Sequence, residues 1–128
     1  MAEALGAMGV KVAVLDISME KAEARVQSVS RAGGAAAAYQ CDVLDADQLR
    51  KCYDALCRRW GPPDFLINGA GGNDPRGSTS EEFHEPGKPL GPGGKSFFDL
   101  DPAGFRQVFD LNFLGTFLVT QTFSRGMV

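Results

Sequence analysis

Two kinds of apolar pattern alternate along the first half of the chain. Short, mostly apolar runs occupy residues 10–15, 35–41 and 65–67, and such runs are typical of strands whose two faces are both covered. Between them, apolar residues recur at spacings of three and four, which places them on one face of a helix. This alternation predicts an α/β fold with a parallel sheet and right-handed crossover connections.

Capping residues mark where several of the predicted helices begin. Asp45 and Gln48 have the spacing of an N-cap and a third helical residue, an acidic version of the capping box. Further along, either Asp99 or Asp101 would cap a helix with Pro102 in its first turn. The apolar pattern of that helix continues through residues 111–123.

Each predicted strand ends in a polar residue. Asp16 follows the first strand, Asp42 follows the second, and Asn68 ends the third, where a cluster of glycines comes next. Ligands of open α/β sheets bind at the carboxyl ends of the strands, and close approach of the backbone to a ligand requires Gly or Ala. The pattern indicates a ligand site. Asp16 and Asp42 as simple strand-end caps, and Asn68 as a strand-end tie, remain open alternatives.

Two features of the second half have both a functional and a structural interpretation. Residues 72–95 are rich in Gly and Pro and too long for an ordinary connection, so they form either a functional flap or a disordered insertion. The only histidine, His84, lies there and is expected to be a solvated loop residue. Asn112 interrupts the apolar helical pattern. Because a buried Asn without partners costs about 1–3 kcal/mol, its structural interpretation is a satisfied core residue.

Composition and charge narrow the class of protein. The chain has 128 residues, a formal net charge of −3 and a pI near 5.1, which favours one globular domain that binds neither nucleic acid nor a membrane. Its three cysteines lack metal-ligand spacing and are odd in number, so we predict no metal site, no disulfide framework and a reducing cytoplasm. The most apolar run, residues 111–119, is too short to span a bilayer.

Four motifs in order give the chain a resemblance to a known family. They are Asp16 at one strand end, Cys41-Asp42-Val43 at the next, Asn68-Gly69-Ala70-Gly71 after the third, and Asp110-Leu111-Asn112-Phe113 in a following helix. The series resembles the middle of a short-chain dehydrogenase/reductase. The resemblance implies a Rossmann-like doubly wound parallel sheet, here incomplete, with residues 1–128 as a partial dinucleotide-binding domain and a flap at about residues 72–97. Segments 67–73, 97–101 and 112–116 are similar to the D-mannonate oxidoreductase (fructuronate reductase) group.

The resemblance also implies a role for each matching residue. Asp16 would hydrogen-bond the adenosine ribose hydroxyls, and Ile17 would also bind the cofactor. Asp42 and Val43 would meet the adenine, and Asn68, Ala70 and Gly71 would form the floor beneath the cofactor. Asn112 resembles the catalytic asparagine, whose backbone carbonyl holds a water of the proton relay. Gly69 stands where the family often has a second Asn, so no side-chain role is assigned to it.

The resemblance places the other characteristic motifs of the family outside this chain. The first strand and the glycine-rich pyrophosphate loop would precede Met1, and the Ser and the Tyr-x-x-x-Lys motif would follow Val128. Neither Tyr39 nor Tyr53 has a lysine four residues later. We therefore expect an internal piece of an NAD-dependent oxidoreductase, inactive by itself, from a homo-oligomeric parent that acts on a small sugar acid. NADP is the less favoured cofactor.

Two alternative functions and one structural consequence follow. The parent would otherwise be another sugar or 3-oxoacyl ketone reductase of the same superfamily, or the chain would be a non-catalytic nucleotide- or protein-binding remnant. In the doubly wound topology the family's first strand lies between the strands at residues 10–15 and 65–67. Without it, both strands would face an empty slot, and the exposed edges favour marginal stability and self-association.

Overall fold

The computed structural model describes residues 1–83, 85–87 and 89–128, and the chain forms two compact units. One unit consists of Met1–Asn68 and Leu118–Val128, and the other of Gly69–Phe117. His84, assigned to the loop from the sequence, lies outside the described residues. The fold is mixed α/β with parallel strands, as the sequence predicts.

The sheet of the first unit is formed by two strands and the helix that connects them. β1 (Val12–Asp16) and β2 (Ala36–Gln40) pair in parallel, and α2 (Met19–Arg31) joins them. In this register Asp16 lies opposite Gln40. The carboxyl ends of both strands therefore lie at the same edge of the sheet, which confirms the predicted parallel arrangement.

Two further helices belong to the first unit, α1 (Ala2–Ala7) and α3 (Ala46–Trp60). Asp45 caps α3, since its carboxylate accepts the backbone N–H groups of Asp47 and Gln48 at 2.9 and 3.0 Å. The reciprocal half of the predicted capping box does not form. Instead, the side-chain oxygen of Gln48 accepts the N–H of Asp42 at 3.0 Å, so Gln48 links the start of α3 to the turn after β2.

The core of the first unit lies between β2, α3 and the end of α5 (Gly115–Phe123). Its buried members are Cys41, Leu49, Cys52, Val119 and Phe123. Leu49 is fully buried, which contributes about 1.5–3 kcal/mol. The ring of Tyr53 meets that of Phe123 edge to face, with centroids 5.5 Å apart. These contacts attach the last turns of the chain to α3.

The predicted third strand at residues 65–67 is wrong. A strand requires ladder hydrogen bonds to a neighbour, and in the described part of the chain the sheet consists of β1 and β2 alone. The side chains nevertheless alternate, because Leu66 packs against the core whereas Phe65 and Ile67 are 82% and 53% exposed. The segment thus has one covered side chain between two exposed ones and no strand neighbour among the described residues.

The second unit contains α4 (Pro102–Phe109) and the loops before it. Of the two predicted caps, Asp101 caps α4 by accepting the N–H of Ala103 at 2.8 Å. Asp99 instead closes a reciprocal capping box with Ser96 around a short 3₁₀ turn, Phe97–Asp99. The sequence therefore locates both capping residues, and the structure assigns each to its own turn.

A π-helical turn, Asp110–Leu114, separates α4 from α5, and a 3₁₀ turn, Ser124–Gly126, follows α5. The apolar pattern alone does not predict this interruption. Within it, the N–H of Gly115 donates to the carbonyl of Asp110, five residues earlier, and the side chain of Asn112 donates to the carbonyl of Val108 at 2.8 Å. In a regular α-helix that carbonyl accepts the backbone N–H of residue 112. Single π-turns of this kind are frequent at functional sites.

Candidate functional site

Two carboxylates lie beside the ends of the paired strands. One oxygen of Asp16 accepts the N–H of Ser18 at 2.8 Å, and one oxygen of Asp42 accepts the N–H of Leu44 at 2.9 Å. Both residues therefore cap the turns that follow, as their structural interpretation predicts. In the described part of the chain, the second oxygen of each carboxylate accepts no hydrogen bond. Each residue thus keeps one acceptor for a hydroxyl or amino group of a ligand.

Two glutamines that the sequence did not single out hold these turns in place. Gln40 donates from its side-chain amide to the carbonyl of Ile17 at 3.1 Å, and Gln48 accepts the N–H of Asp42. Ile17 is 66% exposed, and Val43 packs partly against the core. The structure therefore brings Asp16, Ile17, Asp42 and Val43 to one edge of the sheet. The positions of Gln40 at the end of β2 and Gln48 in the first turn of α3 are the features of the sequence that could have identified these two glutamines.

Asn68 is exposed and is connected to α5. Its side-chain amide donates to the hydroxyl oxygen of Thr120 at 3.0 Å, which is a contact within the first unit. This bond fits the structural interpretation of Asn68, in which its side chain links the end of the segment at residues 65–67 to a neighbouring element. Ala70, Gly71 and Asn112 belong to the second unit, where all three are exposed.

The side chain of Asn112 forms a clamp on the backbone of Gly72. Its amide nitrogen donates to the Gly72 carbonyl at 2.7 Å, and its amide oxygen accepts the Gly72 N–H at 3.1 Å. A Cβ atom on Gly71 would lie 2.5 Å from that same oxygen, so the close approach requires glycine. The interpretation of Asn112 as a buried core residue is wrong, because it is exposed and its partners are backbone groups of a loop.

The backbone carbonyl of Asn112 also takes part in the π-turn. It accepts the hydroxyl of Thr116 at 2.9 Å. A carbonyl oxygen can accept more than one hydrogen bond. Any further donor to this oxygen must therefore approach it from a direction that the Thr116 hydroxyl leaves open. The side chain of the same residue is held at Gly72 and Val108, so both the backbone and the side chain of Asn112 are fixed by hydrogen bonds.

Two residues after Gly72, the carboxylate of Asp74 forms an ion pair with Arg76, whose side chain is half exposed. Asp74 is 7% exposed, and its carboxylate accepts the Nε–H and a terminal N–H of Arg76 at 3.0 and 2.7 Å. Hydrogen bonds from the Arg76 side chain and backbone lower the pKa of Asp74 to about 2. Neither residue has a role predicted from the sequence, although an Asp two positions before its partner in a Pro-containing loop is typical of a turn.

Two of the three cysteines, Cys41 and Cys52, are buried and lack the character of reactive thiols. Burial raises the pKa of the Cys41 thiol to about 12, and burial also raises that of Cys52. Reactive cysteines have a lowered pKa, since the thiolate is the nucleophile and the metal ligand.

Among the described residues, no three His, Cys, Asp or Glu side chains are grouped to hold a metal ion. In the same residues, no helix has the length and hydropathy to cross a membrane.

Known proteins resemble this chain along its whole length. The sequence profile of the family described as short chain dehydrogenase matches residues 1–128. The uncharacterized oxidoreductase UxuB of Bacillus subtilis (strain 168) is 42% identical over 129 residues, a match covering 100% of this chain and 45% of UxuB. The chain therefore spans less than half the length of this relative.

Solved structures show the same relationship. A candidate D-mannonate oxidoreductase from Haemophilus influenzae, crystallised with bound NAD, superposes with a TM-score of 0.89 at 37% identity, over 99% of this chain and 45% of that protein. A xylitol dehydrogenase with bound NAD⁺ superposes with a TM-score of 0.79 at 28% identity, over 98% of this chain and 42% of that enzyme.

Proposed function

Because the chain belongs to the short-chain dehydrogenase family, we propose that it is part of an NAD-dependent oxidoreductase that interconverts a hydroxyl group and a ketone of a sugar acid. The observation that carries this proposal is the match to the candidate D-mannonate oxidoreductase with bound NAD, at a TM-score of 0.89 over 99% of the chain. Since the chain spans 45% of that protein, the activity is that of a longer parent.

The edge formed by β1 and β2 suits the adenosine end of the cofactor. Asp16 keeps one carboxylate oxygen for the hydroxyls of a ribose, and Asp42 and Val43 would meet the adenine. Asn68, Ala70 and Gly71 would lie beneath the cofactor. A 2′-phosphate beside Asp16 would face about 4 kcal/mol of repulsion per charge pair at about 4 Å and a dielectric constant near 20, which favours NAD over NADP. The nicotinamide, when bound, supplies or accepts the hydride.

Asn112 would act through its backbone carbonyl. In the proposed mechanism this oxygen holds a water of the proton relay, which delivers a proton to the ketone oxygen in reduction and carries the proton away from the hydroxyl in oxidation. The Thr116 hydroxyl donates to the same carbonyl at 2.9 Å, and the water would donate beside it. The clamp on Gly72 keeps the π-turn, and with it the carbonyl, in one orientation.

The proposal extends to partners and location. Small sugar acids are the proposed substrates, the parent is a homo-oligomer, and three free cysteines support a cytoplasmic location. The similarity to a xylitol dehydrogenase supports a second candidate within the same family, a dehydrogenase of neutral sugars or polyols.

A hybrid enzyme tests the proposed function. This chain replaces the matching stretch of the Haemophilus protein, which then supplies the remaining parts of the domain. We expect NADH-dependent reduction of fructuronate, and a loss of about 10²-fold in kcat, the low end of the effect of a positioned acid–base group, when Asn112→Ala removes the side chain that holds the backbone carbonyl in place. The matched control is Asn73→Ala, because Asn73 is exposed, lies in the same loop and has no hydrogen-bond partner among the described residues. Preference for xylitol over fructuronate and mannonate would support the second candidate, and absence of NAD binding would contradict both.

A further inference from the structure

The loop at residues 72–77 is attached to the α4 region at three positions. At one end, the backbone of Gly72 is held by the Asn112 side chain. At the other end, the Arg76 carbonyl accepts the N–H of Asp101, the N-cap of α4, at 2.9 Å. Between them, the Arg76 side chain donates to Gln107 at 2.9 Å. The loop thus runs antiparallel to the helix, from residue 112 back to residue 101.

Arg76 is the residue on which this attachment depends. Its guanidinium group bridges the buried Asp74 carboxylate and the Gln107 side chain, with a terminal nitrogen that lies 2.7 Å from one oxygen and 2.9 Å from the other. The backbone N–H of Arg76 also donates to Asp74 at 2.8 Å. A planar guanidinium can hold two partners in a fixed geometry, whereas an ammonium group acts as a point charge.

The backbones of the loop and the helix touch beside Arg76. A Cβ atom on Gly104 would lie 2.6 Å from the Cβ of Arg76 and 2.7 Å from the nitrogen of Gly77. Glycine weakens the interior of a helix, and here the close approach of the loop accounts for its presence in α4. The contact leaves no space for the loop to move towards the helix.

Only three residues separate Gly72 from Arg76, and one of them is Pro75, whose φ angle is fixed by its ring. Because the connection is short and restricted, fixing the position of Arg76 also restricts the position of Gly72. If the Arg76 end is released, the Gly72 backbone gains freedom, and the Asn112 side chain loses a partner held at a constant place. A long, flexible connection would not couple the two ends in this way.

We infer that Arg76, held by Asp74 and Gln107, is a positioning residue that keeps the backbone of Gly72 in place for Asn112. The functional meaning of this arrangement rests on the proposed role of Asn112. Arg76 acts on the reaction only through the loop, and its side chain is not assigned a contact with substrate or cofactor.

Amide hydrogen exchange in the 128-residue chain tests the coupling. We expect Arg76→Gln to accelerate exchange of the Gly72 N–H by about tenfold or more, the factor that corresponds to loss of one hydrogen bond to a charged group. The Leu49 N–H, which donates to Asp45 in α3, should exchange at an unchanged rate. The matched control is Arg106→Gln, since Arg106 is exposed on α4 and has no hydrogen-bond or ion-pair partner among the described residues.

The exchange rates at Gly72 and Leu49 together show whether Arg76 positions the loop. Acceleration at Gly72 alone supports it, whereas an unchanged Gly72 overturns it. Equal acceleration at Gly72 and Leu49 also overturns it, because Arg76 would then stabilise the whole chain and not the loop. If Arg76→Gln does not fold, Gln107→Ala removes only the helix contact and should still accelerate Gly72 selectively, and Arg76→Lys should restore less than half of the protection.

The hybrid enzyme separates this inference from the proposed function. There, Arg76→Gln should lower kcat by about tenfold, and this fall should exceed the change in KM for NADH, because Asp16 and Asp42, which would bind the adenosine end, are in the other unit. Accelerated exchange without any oxidoreductase activity in the hybrid would retain the coupling and contradict the proposed function. Oxidoreductase activity of the hybrid together with unchanged exchange at Gly72 would support the proposed function and contradict the coupling.

Discussion

The side-chain amide of Asn112 pairs with both backbone groups of Gly72, donating to the carbonyl at 2.7 Å and accepting the N–H at 3.1 Å. An amide side chain thereby reproduces the two-bond pairing of a strand, although neither residue belongs to a sheet. The pairing joins residues forty positions apart. It gives an exposed Asn in the helical segment its partners, the backbone groups of a distant loop.

Gly71→Ala should disrupt this pairing, whereas Gly69→Ala should not. A Cβ atom at position 71 would lie 2.5 Å from the Asn112 amide oxygen, and one at position 69 meets nothing within 4 Å. We expect Gly71→Ala to lower the free energy of unfolding by about 1–3 kcal/mol through overpacking. Gly69→Ala should be neutral or stabilise by about 0.4–1 kcal/mol by restricting the unfolded chain. Urea denaturation measures both, and equal effects would contradict the clamp.

Asp16→Asn should weaken the preference for NAD over NADP. The charged carboxylate favours ribose hydroxyls and repels a 2′-phosphate, and the amide removes both effects. We expect NAD to bind about 10–100-fold more weakly, which corresponds to about 1.5–3 kcal/mol for hydrogen bonds to a charged group, while NADP binding is retained or improved. Dissociation constants of the hybrid enzyme measure this change. Asp64→Asn, the same substitution at an exposed carboxylate of the same unit, should alter neither constant.

The Asp74–Arg76 pair should be lost in acid. Hydrogen bonds from Arg76 lower the pKa of Asp74 from 3.8 to about 2. Since the folded pKa lies below the unfolded value, the pair contributes fully above about pH 5, and its contribution disappears as the pH falls from about 4 towards 2. The ¹⁵N chemical shift of the Arg76 Nε–H should titrate with a midpoint near 2, and Asp74→Asn should abolish this transition. A midpoint near 4 would show that the pair is not formed.

Cys57 should be the first cysteine to react with iodoacetamide. Cys41 and Cys52 are buried, and with a pKa of about 12 only about one Cys41 thiol in 10⁴ is ionised at pH 8. Cys57 is only partly buried. Peptide mass spectrometry at increasing reaction times measures the order of modification. Early alkylation of Cys41 in the native chain would contradict its burial in the core.

The chain should self-associate through its unpaired sheet edge. Among the described residues β1 pairs on one side only, and Phe65 and Ile67 are exposed on a segment that pairs with no strand. Exposed edges and apolar side chains of this kind promote association between chains. Size-exclusion chromatography with light scattering should show a mass that rises with concentration and falls in Phe65→Lys and Ile67→Lys. Phe98→Lys, at a 93% exposed site in the other unit, should not lower it. A sharply melting monomer would contradict the prediction.

Local patterns in the sequence determined much of the first unit. The spacing of Asp45 and Gln48 located the start of α3, and the polar residues after the apolar runs located the turns at Asp16 and Asp42. These features depend on residues within a few positions of one another, because capping and helical periodicity are local properties of the chain. The parallel pairing of β1 and β2 followed from the helix between them.

Only the tertiary structure decided the remaining features. Whether residues 65–67 form a strand depends on a neighbour to pair with, which their own sequence does not contain. The exposed clamp of Asn112 on Gly72 and the bridge of Arg76 to Gln107 join segments 40 and 31 positions apart. Periodicity describes one segment at a time, so it identifies a polar residue on a helix but not the backbone group that this residue will bind.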